Sequence, residues 1–463
     1  MIIGMRDARA WQRLLVMAGV LFLSLYIALN VPQNIAPLLL FLFAGLFGFL
    51  ILLRQPELGL VGIVVGALSI PFVVGTGTQT SLNAAVLLIP VLLGVWVLNM
   101  VRQQNVTLVP SQINLPLVFF IGCATISLIA GNLPWNYFAG RASLQAQLGG
   151  WAIFVFSVCA TLLVANLVRD VRWLKLLVGI FLIVGGVYIV GKLIPLVAFV
   201  TDLVIAPGAN GSLFWIWLVA LAGGQAFFNR SLTKPVRLGL LALALATLGA
   251  GWLGRTWVSG WLPPLVAISV LLGLRSWRLG LASIMIGGLV VLVLDPTILS
   301  TLVGSKQYSI DTRFDAAEIL LTQVFPLSPI VGLGPANYYF YTPLFPISGY
   351  YVNFNSHNQY IDILAQLGVV GFVVFAWLMV SFASLGWDLR KRVTDDFSRG
   401  YVYGCLAGLA GTMVAGLQGD WFLPFVYNIG FTGFRASILG WLFLGGLVAI
   451  EQMVRHQSQV SVE

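Results

Sequence analysis

Residues 147–168, QLGGWAIFVFSVCATLLVANLV, form an apolar run without a single charged side chain. A helix of about 20 such residues is long enough to cross the hydrocarbon core of a bilayer. Arg169, Arg172 and Lys175 follow directly, and a second apolar run begins after them. The stretch therefore predicts a transmembrane helix that ends at a charged membrane surface.

The same pattern fills most of the chain and predicts about 12–14 transmembrane helices. The apolar runs lie near residues 14–30, 35–53, 58–74, 81–101, 115–131, 147–168, 174–196, 211–229, 238–254, 257–274, 279–296, 358–385, 401–417 and 430–450. The first run follows basic residues, as a signal peptide does, but it is too long and no small-residue cleavage site follows, so we interpret it as a retained span.

Composition supports this fold class and excludes others. Of the 463 residues, 59% are hydrophobic and 8% are charged, whereas soluble proteins carry about 25% charged residues. Disordered chains are poor in apolar residues, and the strands of membrane barrels alternate in polarity. The sequence therefore predicts an all-α polytopic membrane protein.

The basic residues predict its orientation. With the N-terminus in the cytoplasm, alternate breaks between spans hold 18 of the 24 Lys and Arg residues. These are Arg6, Arg9, Arg13, Arg54, Arg102, Arg169, Arg172, Lys175, Arg230, Lys234, Arg237, Arg275, Arg278, Arg390, Lys391, Arg392, Arg399 and Arg455. Because cytoplasmic loops are enriched in Lys and Arg, both termini are predicted to be cytoplasmic. This bias also accounts for the net charge of +9 without a nucleic-acid partner.

One break is far longer than the others. Residues 297–357 form the one long loop predicted outside the membrane, and they separate an N-terminal bundle, 1–296, from C-terminal helices and a tail, 358–463. Within the loop, 312–325 has helical spacing, with Thr312 and Asp315 in a capping-box arrangement and proline after it. The aromatic stretch 337–351 suits either the lipid interface or stacking on sugar rings.

His357 is the candidate for acid–base chemistry. It follows the long loop, and the capping-box spacing of Ser356 and Gln359 predicts that it is the first residue of the next helix. The positive end of a helix dipole disfavours protonation, and a neutral imidazole accepts a proton from a hydroxyl. The alternative is an inert polar residue at a helix mouth.

Six basic residues lie apart from the cytoplasmic set: Arg141, Lys192, Arg255, Lys306, Arg313 and Arg435. Arg255 lies between two apolar runs, where burying a charged side chain in the bilayer costs free energy. It therefore marks either a functional site or a tight turn from which the arginine side chain extends to the membrane surface. Arg313 is predicted at the start of the loop helix, either facing an anionic ligand or paired with Asp315 or Glu318. Arg141 and Lys192 carry the same signal more weakly, and Arg435 favours a structural role.

Several other kinds of site have no sequence support. The chain has no P-loop, no Cys/His metal spacing, and no Asp-x-Asp pair on the predicted outer side. The sequence therefore predicts no metal and no other cofactor.

His357 and Asn358, followed by Gly368 and Gly371, resemble the signature of the O-antigen ligase and polymerase superfamily. The preceding block is also similar, with Arg313 on a helix and then Pro329, Gly332, Gly334 and Asn337. The segment Gly254–Thr256 resembles the family's arginine segment, with glycine where serine is common. The stretch 206–214, APGANGSLF, is similar to the family's asparagine-containing span start and points to Asn210.

The resemblance implies a C-type glycosyltransferase-like enzyme of the bacterial inner membrane. Such an enzyme moves a glycan from a polyprenyl diphosphate, such as undecaprenyl diphosphate, to a hydroxyl of a glycan or lipid-glycan acceptor on the outer face. His357 is then the base, Arg255 and Arg313 hold the diphosphate, and Asn358 and Asp362 are further candidates. Ligases, polymerases and protein-glycosylating members share these motifs. A flippase or transporter of an anionic lipid-linked substrate is the alternative, and it would not need His357.

Overall fold

The computed structural model describes residues 36–75, 81–106, 108–254, 258–294 and 307–460. The predicted span 14–30 lies outside these residues. The chain divides into two compact units, residues 1–58 and 59–463. The first contributes helix α1, Ala36–Arg54.

The second unit is built almost entirely from helices. Those before the long loop are α2 (Glu57–Leu68), α3 (Ala84–Gln103), α4 (Asn114–Ala130), α5 (Leu144–Leu167), α6 (Val171–Leu193), α7 (Phe199–Val204), α8 (Ser212–Phe228), α9 (Lys234–Leu253), α10 (Leu262–Arg275) and α11 (Trp277–Leu294). Those within and after it are α12 (Gln307–Ile319), α13 (Gln359–Arg392), α14 (Asp396–Gly416) and α15 (Gly430–Val460). Two short strands, β1 (Val73–Gly75) and β2 (Ser81–Asn83), pair antiparallel.

Within the described ranges, seven helices have the length and apolar composition needed to cross a membrane. These are Ala84–Gln103, Leu144–Leu167, Val171–Leu193, Lys234–Leu253, Val258–Arg275, Gln359–Arg392 and Gly430–Gln457, and shorter apolar helices accompany them. The predicted all-α polytopic membrane fold is thus confirmed.

Helix α8 forms the centre of the second unit. Its residues from Ser212 to Ala226 are all buried, and it packs against α9, α10 and α14. It is apolar on every side because protein surrounds it on every side. Helix α15 is also largely buried, and it packs against α5.

The predicted span 58–74 is shorter than expected. Helix α2 ends at Leu68 because Pro71 follows, and the chain turns into β1. The buried guanidinium of Arg435 donates hydrogen bonds to Gly66 O at 2.8 Å, Ile70 O at 2.8 Å and Phe72 O at 3.0 Å. Arg435 therefore has the structural role that its sequence context favoured.

The predicted span 358–385 is not one unbroken helix. At Gly368 the backbone of α13 leaves the helical region, with φ of 68° and ψ of −173°. A side chain strongly disfavours this conformation, and a Cβ here would also overlap with Ile330 O. The signature glycine is therefore a helix break, which the apolar pattern did not reveal.

The long loop supplies the hydrogen bonds that the broken helix lacks. Leu333 N and Gly334 N donate to Ala365 O and Gln366 O at 2.9 and 3.0 Å. In the other direction, Val369 N donates to Pro329 O at 2.8 Å. Val370 N also donates to Ile330 O, at 3.3 Å. Four backbone hydrogen bonds therefore join segment 329–334 to the break.

Two further glycines, Gly371 and Gly332, make close contacts at the break. Gly371 makes room for the side chain of Leu367 across the break. Gly332 has a φ of +74°, and its Cα lies so close to Gln366 O that a Cβ would overlap with it. Glycine at 332 and 368 therefore allows the loop to enter the break.

Helix α12 begins at Gln307, earlier than predicted, so Arg313 lies inside it rather than at its start. Ala316 in α12 is buried, as are Leu320 and Val324 in the turn that follows, whereas Phe314 is 72% exposed. A π turn, Leu320–Val324, and a short 3-10 turn, Phe325–Leu327, complete the predicted helical region.

Candidate functional site

His357 lies in the turn before α13, not in the helix. Its φ is +48°, a left-handed conformation that is uncommon outside glycine and clusters at functional sites. Asn358 caps the helix instead, since its Oδ1 accepts hydrogen bonds from Tyr360 N at 3.0 Å and Ile361 N at 3.3 Å. The predicted capping box of Ser356 and Gln359 is therefore wrong.

Ser356 ties this turn to a buried carboxylate. Its Oγ accepts a hydrogen bond from Asn358 N at 2.9 Å and donates one to Asp362 Oδ1 at 2.7 Å. Asp362 Oδ1 also accepts a hydrogen bond from the hydroxyl of Tyr338. Asp362 is fully buried, and its Oδ2 has no partner among the described residues. These contacts hold the residues on both sides of His357 in place.

Tyr338 joins the long loop to this network. Its ring stacks on Phe425, with centroids 4.7 Å apart. Burial raises the pKa of its hydroxyl well above the usual value, and the charges of Asp362 and Asp420 add to the effect. Tyr338 is therefore protonated at neutral pH and acts as a hydrogen-bond donor.

Asp420 lies close enough to Tyr338 and Asp362 to act on both electrostatically, and sequence reasoning missed it. Its carboxylate accepts hydrogen bonds from Phe425 N at 2.6 Å and Asn428 Nδ2 at 2.5 Å. Burial raises its pKa to about 6. The sequence gives no sign of this position, because no local spacing links Asp420 to Tyr338 or Asp362.

The imidazole of His357 is half-buried and makes no hydrogen bond to any described residue. Burial lowers its pKa below 6.5, and the positive charge of Arg313 lowers it further. The imidazole is consequently neutral at pH 7, as expected, but burial and Arg313 are the cause rather than a helix dipole.

Arg313 is exposed on α12 and forms no ion pair with Asp315 or Glu318, both of which the structure describes. Because Arg313 lies inside the helix, the prediction that it and the helix N-terminus bind one anionic ligand together is wrong. Its charge nevertheless acts on His357. The structure therefore brings these two candidates together, whereas Arg255 lies outside the described residues.

The other candidates lie in two further places. Arg141 is exposed between α4 and α5. Burial raises the pKa of Tyr341, and the positive charge of Arg141 lowers it in part. Lys192 and Asn210 share Tyr188: the ammonium lies 5.6 Å from the ring centroid, and Asn210 Nδ2 donates to the hydroxyl at 2.7 Å.

The aromatic stretch 337–351 divides into two parts. Tyr338 and Tyr341 are buried, so neither the lipid interface nor sugar stacking describes them, whereas Tyr350 and Tyr351 are exposed. Asn337 is buried and holds the loop in place, since its Oδ1 accepts from Ala142 N at 3.1 Å and its Nδ2 donates to Gly131 O at 3.0 Å.

The described residues contain no group of three or more His, Cys, Asp or Glu side chains suited to a metal ion. The site instead offers a neutral imidazole beside an exposed guanidinium. Such a pair accepts a proton from a hydroxyl and stabilises a nearby anion.

Comparison with models of protein families gives a match. The model of a family described as O-antigen ligase matches residues 232–376, which contain Arg255, Arg313, His357 and the helix break. No curated protein matches the chain significantly. The family match supports a membrane glycosyltransferase of the O-antigen ligase or polymerase type. Together with the motifs around His357 and Gly368, it confirms the predicted resemblance of residues 232–376 to the O-antigen ligase and polymerase superfamily.

Proposed function

We propose that this protein moves a glycan from a polyprenyl-diphosphate carrier, of the undecaprenyl diphosphate type, to an acceptor hydroxyl on the outer face of the inner membrane. The observation that carries the proposal is a neutral, half-buried imidazole under the electrostatic influence of an exposed guanidinium that forms no ion pair with a described residue, within the segment that matches the family. The acceptor is a glycan in a polymerase and a lipid-linked glycan in a ligase.

The proposed reaction uses His357 as a general base. The imidazole takes the proton of the acceptor hydroxyl while its oxygen forms a bond to the anomeric carbon of the donor sugar. The bond from that carbon to the diphosphate oxygen breaks, and the diphosphate leaves with the bonding electrons. Arg313, together with Arg255, stabilises the charge on the leaving group. The donor is already activated, so the proposal requires no metal and no nucleotide.

The basic test is transfer by the purified protein in proteoliposomes. They contain lipid-linked oligosaccharide and acceptor extracted from the producing cells, and a strong chelator is present throughout. We expect elongated or ligated glycan together with free polyprenyl diphosphate. If substrate crosses the bilayer and no product forms, the protein is a flippase or transporter. If product forms only after Mg²⁺ is added, the proposed metal independence is wrong.

Arginine variants test the proposed diphosphate site. A charged hydrogen bond contributes about 1.5–3 kcal/mol, so Arg313→Ala and Arg255→Ala should each weaken donor binding about 10–100-fold. Lysine keeps the charge but loses the two-pronged guanidinium geometry, so Arg→Lys should retain part of the affinity. The measurement is binding of lipid-linked donor in detergent, with Arg278→Ala as the control because Arg278 is exposed on α11. Parent-like binding by both alanine variants would exclude this role.

The orientation of the protein in the membrane is also part of the proposal. Both termini lie in the cytoplasm, and residues 297–357, which separate the N-terminal bundle from the C-terminal helices, lie on the outer side. This orientation is supported by the uneven distribution of basic residues. Reporter fusions after Lys306 and within residues 388–399 should therefore indicate opposite sides of the membrane. Two fusions on the same side would contradict it.

A further inference from the structure

A cavity of about 480 Å³ lies beside Asn428, which donates a hydrogen bond to Asp420 of the candidate site. Its walls come from β2, the segment before α8, the connection between α14 and α15, and the first residues of α15. Small-molecule sites have volumes of about 300–1,000 Å³, so the cavity has room for one or two sugar rings.

The wall of this cavity is uncharged and mostly apolar, with several polar groups on it. Amides, hydroxyls and one indole contribute to it, from Asn210, Asn428, Ser81, Thr432 and Trp421. Amides and hydroxyls exchange hydrogen bonds with sugar hydroxyls, and an indole ring packs against the apolar face of a sugar. The lining residues carry no charge to bind a diphosphate, so their chemistry favours a neutral polyhydroxylated ligand.

The two amides are already oriented by the protein. Asn210 Nδ2 donates to the hydroxyl of Tyr188 at 2.7 Å, and Asn428 Nδ2 donates to Asp420 Oδ1 at 2.5 Å. Neither Oδ1 accepts a hydrogen bond from a described residue. Both side chains therefore keep a fixed acceptor available for the hydroxyl groups of a ligand.

The cavity wall is also attached to the turn that carries His357. Gln359 Oε1 accepts hydrogen bonds from Phe422 N at 3.1 Å and Leu423 N at 2.7 Å. These two residues directly follow Trp421 in the cavity wall. Through Gln359, the position of the cavity is therefore fixed relative to the proposed base two residues earlier.

We propose that this cavity binds a sugar ring of a transferred or accepting glycan, and that Asn210 and Trp421 recognise it. The inference rests on the proposed transfer function and adds a saccharide site that is connected to its base through Gln359. The sugar comes from either the donor or the acceptor, and kinetics distinguishes these two sources.

The kinetic test compares the parent with Asn210→Ala and Trp421→Leu in the proteoliposome assay. KM is measured for donor and acceptor separately, each with the other substrate saturating. We expect KM to rise about tenfold for the substrate whose sugar occupies the cavity, with kcat changed less than threefold. Trp277→Leu is the control, because Trp277 is 70% exposed on α11. Parent-like KM values for both substrates in both variants would overturn the proposal.

A binding measurement separates this inference from the proposed function. The oligosaccharide released from the donor by mild acid is titrated into the protein in detergent, with binding followed by calorimetry. The acceptor glycan, delipidated, is titrated in the same way. If the parent binds one of these two glycans and Asn210→Ala binds it about tenfold more weakly, the saccharide site is supported even when the parent transfers no glycan. Failure of both to bind a parent that does transfer glycan would overturn the saccharide site alone.

Discussion

His357→Ala is expected to slow glycan transfer roughly 10²–10⁴-fold, the usual contribution of a general base, while donor binding stays close to that of the parent. The helix cap is provided by Asn358, and the buried hydrogen bonds by Ser356 and Asp362, so the fold does not depend on the imidazole. The measurement is the single-turnover rate in proteoliposomes at saturating donor. His456→Ala is the matched control, because this exposed histidine lies in the last helix.

The pH dependence checks the same role independently. The base must be neutral, so transfer should fall as the pH decreases through the pKa of His357, which burial and Arg313 hold below 6.5. Removal of the charge in Arg313→Ala raises this pKa, so the acidic limb should move to higher pH in whatever activity remains. The limb should disappear in His357→Ala. Equal rates for His357→Ala and the parent would reject the base role.

Gly368→Ala should have the second large effect, on stability. The alanine would adopt a left-handed φ and its Cβ would overlap with Ile330 O, so segment 329–334 must leave the break. Backbone strain costs about 1–3 kcal/mol, and each lost hydrogen bond about 0.5–1.5 kcal/mol. We therefore expect a loss of about 3 kcal/mol or more, and with it the loss of transfer.

This destabilisation is measured by thermal unfolding in detergent and by protease cleavage of the long loop. Gly122→Ala is the control, since a Cβ at Gly122 in α4 meets no atom within 4 Å. We expect a clearly lower melting temperature and faster cleavage for Gly368→Ala alone. An equal melting temperature for the two variants would show that the loop does not need the break.

The apolar pattern predicted the class of fold and most helices, but it predicted α13 as one continuous span. Val369, Val370 and their neighbours are as apolar as any helix interior, so periodicity contains no sign of a break at Gly368. The break is stable only because Pro329 and Ile330, far back in the sequence, accept its amide hydrogens. A partner so distant in sequence leaves no local pattern.

The errors at the candidate site have a similar cause. Spacing suggested that Ser356 caps a helix, whereas its hydroxyl bonds to Asp362, and Asn358 takes the cap. Capping rules describe neighbouring residues and do not include competition from a buried carboxylate. His357 and Arg313 became candidates because each residue type is unusual in its context. Asp420 was not found, because its importance depends on burial beside Tyr338.

The break in α13 also has a consequence for biosynthesis. Gly368 lies nine residues into the helix, about 13 Å from its start at 1.5 Å per residue. Unpaired amides and carbonyls at such depth are costly in lipid. Their partners in segment 329–334 are synthesised first, so the ribosome has already delivered them when the second half of α13 emerges. We therefore expect this helix to reach its final position in the membrane only together with the loop that precedes it.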